Sequence, residues 1–351
     1  MFEKVRSPRR RDVRPSLDAL EERALLNAAP LHLASHANIT IINKVGGYRF
    51  TNFDGPNAGN IAMAGTTMNG IANSGTAVGF TTANDGTLTN FTANPLKTTK
   101  ARLLNIFGST TAMAFGINSA GTVVGTTAAQ GSAFSLNRHG VLKTFIPDGG
   151  SSATAFGIND RVNIVGQYVT STATPGFILL HGGKSLITIN QPTGVTSDVI
   201  NAQGINNHGL VVGFYLGNDG QVHGFTASDR AAKNGILTGT AVADPTIPVI
   251  PGEPGATFVF SQILGINDHG IAVGYFGDST LSQHGFFYNT NTGKYTFLDD
   301  PNAAFFTNPL SPTGTSEITQ ITGITNSGEI TGFYSDANGV FHGFVATTHP
   351  A

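Results

Sequence analysis

The sequence predicts an all-β fold built from copies of one four-stranded unit, on three observations. A Gly-Ile-Asn-x-x-Gly-x-x-Val-Gly pattern recurs, with drift, from Gly70, Gly116, Gly157, Gly204, Gly265 and Gly323, at spacings of 46, 41, 47, 61 and 58 residues. A period of about 40–50 residues marks a repeat architecture, with propellers high among the choices. Composition agrees: Gly supplies 45 of 351 residues and charged residues only 11%, against about 25% in ordinary globular chains. Gly, Asn and Thr in such abundance suit tight turns and strands. Finally, one Phe keeps its place in every copy: Phe91, Phe134, Phe177, Phe225, Phe286 and Phe344.

The elements of a unit follow in order. The first strand ends at the Gly-Ile, as in 114–117. Asn-x-x-Gly then supplies a turn, Asn and Gly tolerating the backbone angles it needs. The Val-Val-Gly segment, as in 210–215, is the second strand. A second turn follows, as at Asn84-Asp85-Gly86, Asn218-Asp219-Gly220 and Asn338-Gly339. The third strand carries the recurrent Phe, as in His-Gly-Phe from His284. A turn at Thr292-Gly293 leads to a fourth, Lys-Tyr-Thr-Phe from Lys294. Four strands joined by tight turns make an antiparallel meander, one propeller blade. A β-solenoid is the rival, but its coils stack in parallel, whereas these are hairpin turns. The sixth copy stops after its third strand. GGYRFTNFDGPN (46–57) is similar to the fourth-strand segment GKYTFLDDPN (293–302). The expectation is a six-bladed β-propeller spanning 38–348, its ring closed by an N-terminal strand that completes the last blade. Closure removes exposed sheet edges.

The triplets vary around the Phe: His-Gly-Phe at His223, His284 and His342, Ser-Ala-Phe at Ser132, Pro-Gly-Phe at Pro175, Thr-Asn-Phe at Thr89. With the GIN…G…VG core they resemble the HAF-type repeat family of extracellular bacterial proteins. The resemblance implies a propeller-like β fold and export, and does not supply an enzyme activity. The His is missing from half the copies, so Phe is expected in the core and His dispensable to the fold.

Residues 1–37 read separately, as a basic tail or export segment. Residues 1–27 hold seven of the 19 Lys and Arg. No apolar run there suits a standard secretory peptide. Arg14-Pro15, Leu20-Glu21, Arg23 and Leu25-Leu26 resemble an N-terminal motif of exported planctomycete proteins. A secreted or cell-surface location is expected.

Several functions are disfavoured. Net charge is −2, so no strong field draws nucleic acid or an anionic membrane. No apolar run is long enough to span a bilayer. The absence of Cys rules out thiolate chemistry. Gly204–Gly209 is not a phosphate loop, because no Lys-Ser or Lys-Thr follows and strands flank it. His208 and His269 fall at one end of the blade and the triplet histidines at the other, each in its own blade. No metal and no cofactor is expected. The aromatics Tyr215, Phe276 and Tyr334 lie eight residues before His223, His284 and His342. They are expected as cross-strand partners, each His covering its aromatic and bonding a turn carbonyl. The rival reading is a small polar-aromatic sugar pocket. Catalytic carboxylates are few. Beyond residue 27 the only Glu residues are Glu253, Glu317 and Glu329, and Asp54 and Asp299 match each other in fourth-strand tails.

Two long connections, 229–255 and 301–317, stand out from an economical repeat. Long Pro-containing insertions are candidate binding loops. Both join a fourth strand to the next first strand, which puts them on the face of the second turns. The fourth strand of the fourth unit is expected around 236–242. The reading is therefore a non-enzymatic, monomeric binding or structural module. Its candidate residues are Glu253, Phe305, Phe306 and Glu317, with the pairs Tyr215/His223 and Tyr334/His342. The partner is a cell-surface or matrix protein or a glycan. The alternative is an extracellular carbohydrate-active hydrolase or lyase using the central funnel.

Overall fold

A computed structural model describes residues 42–45, 47–127 and 131–348. The export segment read at 1–37 lies outside them. No helix among the described residues is long and apolar enough to cross a membrane. The fold is all-β, and nearly all its strand pairs are antiparallel.

Most of the described strands group, one motif copy at a time, into units; the first and last share one nine-stranded sheet, and Phe306–Thr307 pairs with Thr315–Ser316 apart from them. Unit 1 is Gly65–Ile71, Ala77–Thr82, Leu88–Ala93 and Ala101–Leu103. Unit 2 is Ala112–Ile117, Val123–Thr127, Ser132–Leu136 and Leu142–Phe145. Unit 3 is Ser152–Ile158, Ile164–Val169, Gly176–Leu180 and Ser185–Asn190. Unit 4 is Ile200–Ile205, Leu210–Leu216, Val222–Ser228 and Thr240–Ala241. Unit 5 is Phe258–Ile266, Ile271–Asp278, Gln283–Asn289 and Lys294–Phe297. Unit 6 is Thr319–Ile324, Ile330–Ser335 and Phe341–Thr348, and the strand pairing with its third is Tyr48–Phe53. That pairing runs from Tyr48↔Thr348 to Phe53↔Gly343. A further strand, Ile42–Val45, pairs with Tyr48–Phe53.

The expected fourth strand around 236–242 needs correction. Thr240–Ala241 does pair with the third strand of unit 4, but Ile236–Thr238 runs parallel to Ser185–Asn190 of unit 3. Gly239 sits between them, its N–H donating to the Asn190 carbonyl at 2.8 Å. The segment thus straps two units together along their outer edges.

The glycine of each Gly-Ile-Asn has a packing reason. A Cβ on Gly70 would lie 3.4 Å from the Gly116 Cα, and one on Gly116 3.1 Å from the Gly157 Cα. The series continues through Gly204, Gly265 and Gly323, whose own Cβ would lie 3.2 Å from the Gly70 Cα. Each of these first strands thus comes close, backbone to backbone, to a neighbouring one. Each bulges just before its glycine, and a bulge bends the strand locally.

The asparagine has two tasks. Asn206 Oδ1 accepts the N–H groups of His208 and Leu210, both at 3.0 Å, closing its own turn. Its Nδ2 donates to the Asn267 carbonyl of the next unit at 3.0 Å. Asn118, Asn159 and Asn267 repeat the inter-unit bond. All four are buried, where an unpaired amide would cost about 1–3 kcal/mol. The recurrent Phe residues are all fully buried between units, as expected.

Candidate functional site

The triplet histidines form a recurring device. Registers Tyr215↔His223, Phe276↔His284 and Tyr334↔His342 are cross-strand pairs. Their ring centroids lie 5.7, 5.2 and 5.2 Å apart, so each imidazole covers its aromatic. The expected turn carbonyl is replaced by carboxylates. His223 Nδ1 bonds Asp244 at 2.7 Å and its Nε2 bonds Asp219 at 3.1 Å. His342 Nδ1 bonds Asp54 at 2.8 Å, and its Nε2 lies 3.5 Å from Asp336. His284 Nδ1 bonds Asp299 at 2.8 Å, and its Nε2 faces Glu253 at 3.3 Å and Asp278 at 3.8 Å. Both ring nitrogens face carboxylates, because imidazolium is a donor at each nitrogen.

Burial opposes the charge on each ring, and the carboxylate bonds outweigh it. His342 is held at about 9 by Asp336 and Asp54, and Asp336 is drawn down to about 2 by the bond from His342 and by backbone N–H groups. A raised histidine pKa gives stability that is complete below the ordinary value of 6.5 and lost as pH rises through about 9. The Asp336 contribution is present above 3.8 and lost as pH falls through about 2. The melting temperature should therefore fall between about pH 6.5 and 9 by more in the wild type than in His342→Gln. The histidine effect is at most ~3 kcal/mol for a shift of this size. Identical alkaline slopes in the two proteins would refute it.

The unit 5 copy is the most elaborate. Glu253 comes from the first insertion, Asp278 ends a second strand, and His284 begins a third. All three are less than 5% exposed. Glu253 Oε1 accepts the Thr280 hydroxyl at 2.8 Å and the Ser282 hydroxyl. Burial works to raise Glu253, but bonds from His284, Ser282 and Thr280 win and hold it at about 2. Burial pushes Asp278 up. Glu317 goes to about 7, through burial and the nearby Asp299 charge. The Glu317 N–H donates to Ser282 Oγ at 2.9 Å, and its carbonyl accepts Gln283 N–H at 2.8 Å.

The second insertion meets the same turn. Ser316 Oγ donates to the Thr280 carbonyl at 3.2 Å, and so does Ser311 Oγ. A Cβ on Gly252 would lie 2.9 Å from the Phe305 ring. Both insertions therefore meet at the second turn of unit 5, on the expected face. They divide the candidate residues: Glu253 and Phe306 are buried, Glu317 is half-buried, and Phe305 is exposed. Phe306 packs with Ile318, Phe333 and Phe341. The pairs Tyr215/His223 and Tyr334/His342 stay in units 4 and 6, each with its own carboxylates.

Asp244, Asp278 and Asp336 escaped the sequence reading, Asp219 was seen only as a turn residue, and Asp54 and Asp299 only as repeat features. A signal existed. Units 4 to 6 have both a triplet His and an Asp closely followed by Pro in the fourth-strand tail (Asp244-Pro245, Asp299-x-Pro301, Asp54-x-Pro56). Units 1 to 3 have neither.

On the Gly-Ile-Asn face, a polar circuit joins the units. Backbone N–H groups of Ser119, Asp160, Asn207, Asp268 and Asn326 donate in turn to Asp160, Asn207, Asp268, Asn326 and Asn73 side chains at 2.7–2.9 Å. It rims a cavity of about 60 Å³ on which all six Gly-Ile segments converge. Despite partial burial, bonds from Asn326 and Asn207 hold Asp268 below the usual carboxylate range. The six first strands contain no Asp, Glu or His. A shallow groove of about 570 Å³ lies between units 1 and 2, lined by Arg102, Leu103, Phe107, Arg138 and Leu142 among others.

No family model and no curated protein matches the chain. Solved structures do. TolB from Acinetobacter baumannii is similar at 10% identity and TM-score 0.43, over 78% of this chain, which spans 64% of that protein's length. Virginiamycin B lyase from Staphylococcus aureus is similar at 14% identity and TM-score 0.40, over 85% of this chain and 99% of that one. A mutant Aleuria aurantia lectin in complex with alpha-methyl-L-fucoside is similar at 12% identity and TM-score 0.43, over 85% and 99%.

Proposed function

We propose that the chain is an exported six-bladed β-propeller of the HAF-repeat kind, closed by its N-terminal strand. It acts as a binding module through the face that carries the two insertions. The return of the glycine contacts from Gly323 to Gly70 supports the closed ring.

One observation carries the binding reading. Val249, Leu281, Phe305 and Leu310 are exposed apolar side chains, at 92, 46, 37 and 62%, and all sit on the insertions or the turn between them. Each insertion is fastened to that turn by buried hydrogen bonds. Little ordering entropy is then lost on association, which favours affinity. Exposed apolar side chains gathered on a preordered surface suit a protein partner. The hydrolase or lyase alternative is weaker, because the first strands lining the axis lack carboxylates and imidazoles, and the rim carboxylate of Asp268 is committed to neighbouring amides.

The test is capture of envelope proteins from the source cells by the wild type and by a Leu281→Ser, Phe305→Ser, Leu310→Ser variant of equal melting temperature. Captured partners should bind the variant at least ~10-fold more weakly, each exposed anchor contributing about 1 kcal/mol. Unchanged affinity would reject the assigned face. So would a glycan-array ligand whose binding is abolished by Arg102→Ala and Arg138→Ala in the groove between units 1 and 2.

A further inference from the structure

The His284 cluster gathers one more carboxylate than its counterparts in units 4 and 6. In unit 6, two carboxylates, Asp54 and Asp336, face one imidazole. In unit 5, Asp299 and Asp278 occupy the corresponding places, and the insertion adds Glu253 between them. Among the described residues, the ion pairs of these carboxylates are to His284 and involve no Lys or Arg. Buried charge left uncompensated costs several kcal/mol.

Asp278 shows where the imbalance falls. Its Oδ1 accepts the N–H groups of Thr280 and Ser282. Its Oδ2 is buried with no hydrogen-bond partner, and it points at His284 Nε2 from 3.8 Å. Such an orphaned oxygen in a side chain 1% exposed calls for a ligand.

We propose that Glu253 Oε2, Asp278 Oδ2 and His284 Nε2 bind a divalent transition-metal ion, with zinc the best fit. The three residues each offer one ligand atom, all within 4.8 Å of one another. Ligands ~2.0–2.1 Å from a tetrahedral zinc ion sit roughly 3.4 Å apart, and the separations from His284 Nε2 of 3.3 and 3.8 Å bracket that value. The outer partners are already set. Asp299 holds His284 Nδ1, which leaves Nε2 as the coordinating nitrogen, the carboxylate–histidine–metal arrangement. The hydroxyls of Thr280 and Ser282 hold Glu253 Oε1 and leave Oε2 for the ion. The ion replaces the proton on Nε2, exchanging one positive charge for two where the carboxylates are in excess. Its role is structural: it pins the first insertion to unit 5 beneath the exposed apolar side chains.

The test uses the full chain, stripped with a chelator and shown folded by circular dichroism, titrated with zinc chloride calorimetrically. One zinc ion per chain is expected, with a melting temperature higher by roughly 5 °C at a hundredfold excess over Kd. Asp278→Asn and Glu253→Gln should each weaken binding at least tenfold, while Asp336→Asn in unit 6 should leave it unchanged. Asp278→Asn is isosteric. Should Glu253→Gln fail to fold, the cobalt(II) absorption of the wild type, intense for tetrahedral coordination, serves in its place. The proposal is overturned by a folded apo chain that takes up no zinc, by equal affinity in Asp278→Asn, or by weak octahedral-type cobalt absorption.

Discussion

Replacing Gly213 with alanine is expected to destabilise the protein by roughly 3 kcal/mol or more. Gly213 lies in the second strand of unit 4, opposite Ala202 on one side and Phe225 on the other. An added Cβ would overlap the Asn201 carbonyl oxygen and lie 2.7 Å from Phe225 Cε1. A backbone atom has no rotamer with which to give way. The Phe225 ring is fully buried over the glycine, covering the surface that a missing side chain leaves open. The same pair recurs as Gly125↔Phe134, Gly166↔Phe177, Gly274↔Phe286 and Gly332↔Phe344. Gly220→Ala is the control. That glycine sits in a turn with φ +81° and open space around the added Cβ, so it should cost only about 1–2 kcal/mol. Urea unfolding of both variants decides. The pairing account fails if Gly213→Ala is no less stable than Gly220→Ala.

Phe50→Ala should cost about 3–5 kcal/mol, the range for a buried aromatic. Phe50 is 1% exposed. Its ring meets the Phe344 ring edge-on at 5.2 Å, in a cluster with Val273, Ile321, Ile330 and Tyr334. Its strand comes from the N-terminal side of unit 1, yet it completes the core of unit 6. The loss therefore measures how much the N-terminal strand contributes to holding the two ends of the repeat array together. A second measurement tests register independently of packing. The chain has no Cys, so Arg49→Cys with Thr347→Cys introduces a single pair at facing positions. Mild oxidation should close it and raise stability by about 2–4 kcal/mol. A pair that stays reduced under oxidant would contradict the pairing of these strands.

The copies inside the chain acted as their own alignment, and much was legible for that reason. The strand order, the turns and the eight-residue register between His and aromatic are local. Each follows from hairpin geometry within about ten residues. The positions of the carboxylates are not local. Asp54 and His342 are 288 residues apart, and Glu253 reaches His284 across 31. Such contacts depend on how units and insertions are placed in space, which no strand period encodes. Phe305 and Phe306 make the point at single-residue scale. Both were candidates for a partner. Phe306 opens the two-residue strand Phe306–Thr307 with its ring in the core, while Phe305 just before it stays exposed, and nothing in the sequence says which.

What the sequence determined alone is the unit and its number of copies. Gly-Ile-Asn, Val-Gly and the following Phe specify strand, turn and core at a period the chain repeats six times. What tertiary structure decided is where charge gathers. The carboxylates come from tails, turns and an insertion that meet only once the sheets pack. Burial then turns them from turn residues into partners of an imidazole, because in low dielectric a charge left unpaired is too costly to keep.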